Sequence, residues 1–301
     1  MYKHLGTTYM KTIIGIGEVL YDILPEGAKL GGAPANFAYH VSQFGYKAMA
    51  ISAVGNDILG EHALKTFDNN GLDYIIPTVK YPTGTVNVSL NEAGVPTYKF
   101  VPDVAWDHIP LTPEMETVAK DALAVCYGTL AQRSHQSRET INKLLDITPD
   151  TFLKIFDINL RGDFYNKEVL TEGMKRADIL KINDEELVVV GRIFDFPGLD
   201  MEEKARIIMH RYHLKMVVLT CGTNGSYVFG HNDFTSFKPT PKVDVADTVG
   251  AGDSFTAAFT SALLAGKSVE EAHELAVKVS AYVCTQNGAM PKLPDAMTTL
   301  K

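Results

Sequence analysis

The stretch with the clearest potential for chemistry in this 301-residue chain runs from Asp247 to Phe255 and reads Asp-Thr-Val-Gly-Ala-Gly-Asp-Ser-Phe. From Phe255 onward, apolar residues recur at three- and four-residue spacing, which predicts an amphipathic helix. Small residues precede it, so their backbone N–H groups can approach an anion closely, and the helix dipole favours negative charge there. Asp253 would face whatever those amides hold. A carboxylate in that position disfavours simple phosphate binding, but it can take a proton from a hydroxyl that attacks phosphorus.

The same stretch has a simpler interpretation, in which Asp253 only caps a helix and the glycines only form a tight turn. The residues by themselves leave both interpretations open. The nonapeptide, however, closely resembles the C-terminal signature of the ribokinase-like (pfkB) carbohydrate kinases. This resemblance implies that Asp253 is the catalytic base, and that the amides of Gly250, Ala251 and Gly252 form an anion hole for the transferred phosphoryl group.

A second glycine-rich segment, residues 31–36, reads Gly-Gly-Ala-Pro-Ala-Asn and precedes a predicted helix. Pro34 suits a first helical turn, and the double glycine permits close approach of the backbone. The segment is similar to the N-terminal signature of the same family. That similarity implies that Gly32 and Asn36 contact the hydroxyls of a sugar, together with Asp22 after the first strand. Taken singly, each of these three residues could instead be a turn or capping residue.

Two polar clusters further along the chain also match the family. Residues 157–165 resemble a segment whose arginine reaches toward substrate or phosphate, and they are most like the fructokinases; the arginine here is Arg161, whose planar guanidinium suits phosphate or paired hydroxyls. Asn183 and Glu186 match an Asn-x-x-Glu motif that governs Mg²⁺ through water, as a hard cation with few protein ligands allows. The alternatives are a surface salt bridge for Arg161 and a capped surface helix for the motif.

The resemblance also places the nucleotide and a second cation. Besides Asn183 and Glu186, the residues implied for ATP are Thr220, Gly222, Gly225, Val283 and Asn287. A loop containing Asp247, Val249 and Gly288 aligns with the site that binds a monovalent cation such as K⁺ in some members. Most ligands there are backbone carbonyls, which the sequence does not specify.

The elements that must position these residues follow a repeated strand–helix pattern. Apolar strand patterns at residues 12–17, 47–54, 122–127 and 152–158 are each followed by a predicted helix, which indicates a mostly parallel sheet with helices on both faces. Ligands of such sheets bind at the carboxyl ends of the strands, where the polar clusters lie. Residues 85–90 alternate strictly, as a half-exposed strand does, and predict a small separate sheet.

The resemblance extends over residues 10–294 and implies one ribokinase-like domain over residues 1–301. Its fold would be a three-layer α/β/α sandwich with a mostly parallel central sheet and a small β-sheet lid. The lid segments would lie at about residues 19–30 and 82–104. Lids of this family can also serve as dimer interfaces, so a homodimer through the lid is expected. Trp106, the only tryptophan, is expected either in the core or facing the sugar.

Composition limits the partners and the compartment. A net charge of −8 argues against nucleic acid or an anionic membrane surface as a partner. No apolar run approaches the ~18 residues of a membrane span. Three well-separated cysteines fit a reducing compartment, so we expect a cytoplasmic protein. Residues 1–9 are polar and aperiodic, and could be an extension or a non-native start.

The combined interpretation is an ATP- and Mg²⁺-dependent kinase that phosphorylates a primary hydroxyl of a sugar. The fructokinase-like segments favour D-fructose as substrate, with D-fructose 6-phosphate and ADP as products. Ribose, 2-keto-3-deoxygluconate and nucleosides stay open within the same reaction class, because few pocket contacts decide among them. A sugar-binding sensor that has lost turnover is the alternative from a different class.

Overall fold

The computed structural model of the protein describes residues 11–24, 27–90, 96–196 and 198–300. The strands are β1 (Thr12–Ile16), β2 (Leu20–Leu24), β3 (Gly27–Gly31), β4 (Lys47–Ile51), β5 (Val54–Gly55), β6 (Asp73–Ile75), β7 (Thr78–Val79), β8 (Gly84–Leu90), β9 (Pro96–Phe100), β10 (Ala122–Tyr127), β11 (Leu153–Asp157), β12 (Ile179–Asn183), β13 (Met216–Thr220), β14 (Ser226–Gly230) and β15 (Thr235–Lys238). The helices are α1 (Ala33–Ser42), α2 (Ile58–Asn69), α3 (Pro113–Lys120), α4 (His135–Ile147), α5 (Lys167–Arg176), α6 (Asp184–Ile193), α7 (Met201–Tyr212), α8 (Ala251–Leu264), α9 (Val269–Cys284) and α10 (Asp295–Thr298).

Within the described residues, nine strands form the main sheet in the order β15-β14-β13-β12-β11-β10-β1-β4-β6. The pairing is parallel from β13 through to β6, and only β14 and β15 are antiparallel additions at one edge. The mostly parallel sheet predicted from the sequence is therefore confirmed. Successive strands are added on one side of β1 and then on the other, so the strand order reverses between β1 and β10. Ligands of open α/β sheets bind at such a reversal, outside the carboxyl ends of the strands.

Both faces of the main sheet are covered by helices. Neighbouring strand residues point to opposite faces, and in β1 the side chain of Ile13 joins one buried apolar cluster while Ile14 joins the other. Helices α1, α2, α8 and α9 contribute to the first cluster, and α3 to α7 contribute to the second. The three-layer α/β/α architecture is thus the one that the family resemblance implied.

A smaller sheet stands apart from the main one. In the described part of the chain it has four strands in the order β3-β2-β8-β9, so the two predicted lid segments do meet in one sheet. Strand β2 pairs antiparallel with β3 and parallel with β8. Residues 25, 26 and 91–95 of the two predicted lid segments lie outside the described residues.

Trp106 packs beneath this small sheet as a core residue, since only 1% of it is exposed. The guanidinium of Arg133 lies 3.9 Å from the centre of its ring. Strand β8 approaches the indole so closely that a Cβ atom on Gly84 would lie 2.2 Å from the indole nitrogen. Of the two positions expected for the tryptophan, the core is the observed one.

One predicted strand is divided in the structure. Residues 47–54 were expected to form a single strand, but β4 ends at Ile51 and the chain then leaves the main sheet to pair β5 with β7. Gly55 lies against the 81–83 segment, where a Cβ atom added to this glycine would lie only 2.6 Å from the carbonyl oxygen of Tyr81.

No helix in the described ranges combines the length and apolar character needed to cross a membrane.

Candidate active site

A cleft opens at the carboxyl ends of the strands, where the strand order reverses between β1 and β10. Residues from five different segments line it, including Glu18, Pro34, Thr129, Asp157, Asn159 and Asp253. Glu18 follows β1, Thr129 follows β10, and Asp157 ends β11, so the parallel sheet itself brings these positions together. The cleft therefore lies where the sequence pattern predicted a ligand site.

Asp253 lies within the first turn of α8, not at its N-cap. The helix begins at Ala251, and the N-cap residue is Gly250, which adopts a left-handed conformation with φ of 77°. The interpretation of Asp253 as a capping residue is therefore wrong. Ala251 and Gly252, expected to lie in a loop, are also helical, because the left-handed glycine starts the helix at Ala251, four residues before the Phe255 at which the apolar pattern began.

A hydrogen bond joins Asp253 to the N-terminal signature. The side-chain amide of Asn36 donates to Oδ2 of Asp253 over 2.8 Å, although the two residues are 217 positions apart. Asn36 lies on α1 and is buried, and its Oδ1 atom has no hydrogen-bond partner among the described residues. A buried acceptor without a partner is costly, so this atom suits a ligand hydroxyl. The two signatures thus form one site.

The surroundings of Asp253 raise its pKa to about 6. Burial is the main cause, because a low-dielectric environment disfavours the charged carboxylate, and the nearby charge of Asp157 acts in the same direction. The Asn36 hydrogen bond and the cations Lys181 and Arg161 lower the pKa and limit the shift. The resulting carboxylate is ionised at neutral pH and is more basic than an ordinary aspartate, as a general base should be.

With Asp253 as the base that the family resemblance implies, we expect kcat/KM for the predicted sugar substrate to fall about tenfold per pH unit below pH ~6. The base works only when deprotonated, so activity is present above the pKa of about 6 and is lost as the pH falls through it. Steady-state kinetics between pH 5 and 8, with the coupling enzymes shown not to be limiting, would measure this profile. A profile that stays flat down to pH 5 would contradict a base with this pKa.

Backbone amides at the start of α8 can bind an anion. The first amides of a helix have no acceptor within the helix. The amide of Ala251 bonds weakly to the Thr248 carbonyl over 3.3 Å, and Gly252 and Asp253 follow in the same turn. Gly250 packs against the main chain of Ala289, where an added Cβ atom would lie 2.7 Å from the carbonyl oxygen. Glycine at 250 is therefore required by both its backbone conformation and its neighbour.

The residues predicted to bind the sugar lie around the same cleft. Gly32 is the N-cap of α1 and has φ of 128°, and a Cβ atom there would lie 2.4 Å from the carbonyl oxygen of Glu18. Asp22 is half-buried on β2, and burial raises its pKa while Arg161 lowers it. Arg161 is exposed and acts electrostatically on Asp22, Glu18 and Asp253, so it lies near all three carboxylates.

Glu18 is a residue of the cleft that sequence reasoning did not select. Only 4% of it is exposed. Burial raises its pKa to about 7, with a contribution from the charge of Asp253, while Arg161 and the amide of Ala33 oppose the shift. Glu18 follows β1 at the carboxyl-end edge of the main sheet, where the other polar clusters lie. That position was the one signal in the sequence that could have identified it as a cleft residue. Asp22, four residues later, matched the family signature and was preferred.

Asn183 and Glu186 form a capping box at the start of α6. The Glu186 amide donates to the Asn183 side chain over 2.8 Å, and Oε2 of Glu186 accepts from the Asn183 amide at the same distance. Oε1 of Glu186 accepts from the Leu160 amide, also over 2.8 Å. Because both carboxylate oxygens already bind the backbone, this pair fits an indirect role toward Mg²⁺, through water, better than direct ligation.

The predicted nucleotide residues lie along the next strand and beyond. Thr220 ends β13 beside Asn183 of β12. Gly222 and Gly225 follow it, both with positive φ, in the turn before β14. Asn287 is exposed in the loop after α9.

The prediction that Val283 contacts the nucleotide does not match the structure. Its side chain is fully buried in the apolar cluster under α9 and offers no surface to an adenine ring. The exposed apolar side chains between residues 237 and 249 are Phe237, Val243, Val245 and Val249. Sequence reasoning selected only Val249 among them, and it did so for the cation site and not for the nucleotide. That segment reaches the end of α9, where the amide of Ala246 donates to the carbonyl of Cys284. Exposed apolar side chains suit an aromatic base better than the buried Val283 does.

The residues predicted for a monovalent cation share one loop region. Oδ1 of Asp247 accepts from the Val249 amide over 3.0 Å, and Oδ2 accepts from the Gly288 amide over 3.2 Å. The aspartate thus joins the segment before α8 to the segment after α9. Such an arrangement fixes the local backbone and its carbonyls, and the cation itself stays a prediction.

Comparison with known proteins agrees with this geometry. The pfkB family carbohydrate kinase profile matches residues 27–296. A fructokinase of Salmonella typhimurium is 28% identical over 299 residues, which cover 93% of this chain and 95% of that protein. An ATP-dependent 6-phosphofructokinase of Thermoanaerobacterium thermosaccharolyticum is 28% identical over 304 residues, with 95% and 92% coverage.

Solved structures share the fold. An uncharacterized sugar kinase, PH1459, from Pyrococcus horikoshii in complex with ATP superposes with a TM-score of 0.76 at 28% identity, covering 92% of this chain and 94% of that one. A fructokinase from Vibrio cholerae O395 in a form with bound fructose, ADP and calcium has a TM-score of 0.80 at 22% identity, with 96% and 98% coverage.

The ribokinase-like fold, with a buried carboxylate in the first turn of α8, is that of a phosphotransferase that acts on an alcohol group. The chain belongs to the pfkB family of carbohydrate kinases. It is a sugar kinase of the class that the two signatures predicted.

Proposed function

We propose that the protein transfers the γ-phosphoryl group of ATP to the primary hydroxyl of D-fructose, giving D-fructose 6-phosphate and ADP. The observation that carries the proposal is the contact between Asn36 and Asp253, because it joins a predicted sugar-binding side chain to a predicted base in one cleft. The preference for fructose is supported by the Salmonella fructokinase, and by the fructose and ADP bound to the Vibrio fructokinase. The fructokinase-like residues 157–165 support it as well.

In the proposed reaction, Asp253 takes the proton of the attacking hydroxyl. The hydroxyl oxygen forms a bond to the γ-phosphorus as the bond from that phosphorus to the ADP oxygen breaks, and the proton stays on the Asp253 carboxylate. The amides at the start of α8 stabilise the charge on the transferring group, as preorganised donors do in other active sites. Arg161, Asp22 and Gly32 orient the sugar, and the small sheet covers the cleft to exclude water.

We infer that ATP lies along the carboxyl ends of β12 and β13, with its phosphates toward Gly252. Thr220, Gly222 and Gly225 would contact the phosphates and ribose, and Asn287 would lie near the base. Mg²⁺, when bound, would neutralise negative charge on the phosphates of ATP. Asn183 and Glu186 would hold its water ligands, which agrees with a carboxylate whose oxygens are both bonded to amides.

A coupled assay of ADP release across a substrate panel tests the proposed substrate. The panel holds D-fructose, D-ribose, 2-keto-3-deoxygluconate, adenosine and D-fructose 6-phosphate, each with MgATP. We expect the highest kcat/KM with D-fructose, by at least about tenfold, since one or two pocket contacts supply ~1–3 kcal/mol each. A higher value with another member of the panel would reject fructose and keep the reaction class. Saturable sugar binding without ADP release would support the sensor instead.

Three further properties belong to this proposal. We infer that the lid sheet mediates a homodimer. Sedimentation equilibrium should give twice the monomer mass, and a monomer at micromolar concentration would contradict the dimer.

We also infer that K⁺ stabilises the loop around Asp247. Replacing K⁺ with tetramethylammonium should lower kcat, and equal rates in both salts would show that the cation has no role. The three free cysteines support a cytoplasmic location, which cell fractionation would test.

A further inference from the structure

An ion pair under the cleft has no part in the mechanism described above. Nζ of Lys181, on β12, lies 3.1 Å from Oδ1 of Asp157, at the end of β11. The two side chains are only 10% and 9% exposed. Burying two charged groups costs solvation free energy, and their mutual attraction offsets only part of that cost. A buried ion pair is therefore weak evidence that the two residues serve only to stabilise the fold.

The pair contacts the helix turn that carries the base. Oδ2 of Asp157 accepts a hydrogen bond of 2.9 Å from the hydroxyl of Thr256, on α8. The same hydroxyl lies 3.0 Å from the carbonyl oxygen of Gly252. Nζ of Lys181 lies 3.1 Å from the position that a Cβ atom on Gly252 would occupy. The ion pair thus supports the first turn of α8 from below, directly under the predicted anion hole.

The charges around Asp253 come from several elements. Two of them lie on neighbouring strands of the main sheet, Asp157 on β11 and Lys181 on β12, and Arg161 follows β11. Two further titratable groups interact with Asp253: Glu18, which follows β1, and Cys126, which lies on β10. Burial by itself would lower the pKa of Lys181, but Asp157, Glu186 and Asp253 raise it, so this ammonium is charged. Asp157 and Lys181 have opposite effects on Asp253: the first raises its pKa and the second lowers it.

We propose that Asp157 and Lys181 are positioning residues for the proton transfer: the pair holds the first turn of α8 and sets the charge balance in which Asp253 accepts the proton. This inference rests on the sugar kinase activity and is independent of which sugar is phosphorylated. It adds two buried residues that act through Asp253 and Gly252.

The test compares pH profiles of kcat/KM for Lys181→Met and Asp157→Asn with the wild-type profile, using the best substrate of the panel. In the Lys181→Met variant, the fall in kcat/KM at acidic pH (the acidic limb of the profile) should move to higher pH by about one unit. The variant lacks a positive charge that lowers the pKa of Asp253. For Asp157→Asn the acidic limb should move to lower pH by a similar amount, because a like charge is lost. A role confined to folding would lower the amount of active enzyme without moving the two limbs in opposite directions.

Lys215→Met is the matched control. Lys215 pairs with Asp178 over 2.8 Å at the starts of β12 and β13, so its loss also breaks an ion pair at this sheet, away from the cleft. The acidic limb of the pH profile of Lys215→Met should coincide with that of the wild-type protein. If a single variant fails to fold, the double variant Asp157→Asn with Lys181→Met removes both charges together, and its limb should lie between the two single-variant positions.

The outcomes separate this inference from the proposed substrate. The wild-type assay decides which sugar is phosphorylated, and only the differences between variants report on the ion pair. Limbs that coincide with wild type in the folded variants, or that move in the same direction for both, would overturn the inference. Thr256→Val gives an independent check, since it removes the hydroxyl bond to Asp157 and should lower kcat by about tenfold with a smaller change in KM, as a loss of transition-state positioning does.

Discussion

Asp253→Asn is expected to lower kcat by about 10²–10⁴-fold, the range that general-base catalysis contributes. The KM for sugar should change little, because an interaction made only in the transition state affects kcat and not ground-state binding. Asn at this position can still accept the hydrogen bond from Asn36, so the geometry of the cleft should survive. What it cannot do at neutral pH is take the proton of the attacking hydroxyl.

Asp150→Asn is a suitable control for this variant, since the Asp150 side chain is 99% exposed and pairs with Lys154 on the protein surface. The control should keep wild-type kinetics. Near wild-type turnover by Asp253→Asn would remove Asp253 from the role of base. A raised KM with unchanged kcat would instead make it a sugar-binding residue.

Gly250→Ala should lower kcat/KM by about 10²–10³-fold, the effect of losing one anion-hole donor. A Cβ atom at position 250 would come within 2.9 Å of three atoms of Ala289, two of them in the main chain. Either the start of α8 or the segment at Ala289 must shift, and both adjoin the predicted anion hole. Steady-state kinetics and thermal unfolding of the same preparation would separate the loss of catalysis from the loss of stability.

The other end of α8 supplies the matched control. Gly266 has φ of 80°, close to the 77° of Gly250, but apart from its chain neighbours no residue that the structure describes lies within 4 Å of a Cβ atom there. Gly266→Ala therefore introduces the same backbone strain, about 1–3 kcal/mol, without the crowding. It should lower the unfolding temperature and leave kcat near wild type. Equal kinetic losses in both variants would show that general destabilisation, and not the anion hole, explains the effect at Gly250.

Much of the fold could be predicted because its signals are local. The period-2 and period-3.6 patterns, with family signatures at both ends, identified the parallel sheet, its helices and the two segments that form the small sheet. Helix α3 was missed although Thr112 caps it and Pro113 begins it, because its eight residues provide little more than two turns of apolar pattern. The division of β4 from β5 was missed because it depends on pairing with β7, a contact between segments distant in sequence.

The predicted site divides in a similar way. Asp253, Asn36 and the glycines of both signatures could be selected because each lies in a motif of small and polar residues. Asp157 was noticed only as part of a motif, and Lys181 was passed over as an ordinary strand residue, since the sequence does not show which strands are neighbours. Val283 was selected by resemblance, but burial of its side chain depends on how α9 packs against α8.

The most direct measurement of the central claim is a crystal structure of the protein with D-fructose and ADP bound in the cleft. The account predicts that a carboxylate oxygen of Asp253 lies about 2.6–3.2 Å from the 6-hydroxyl of the sugar, the reach of a general base. The same hydroxyl should point toward the β-phosphate of ADP across the start of α8. A sugar bound with its primary hydroxyl away from Asp253, or held outside this cleft, would contradict the account.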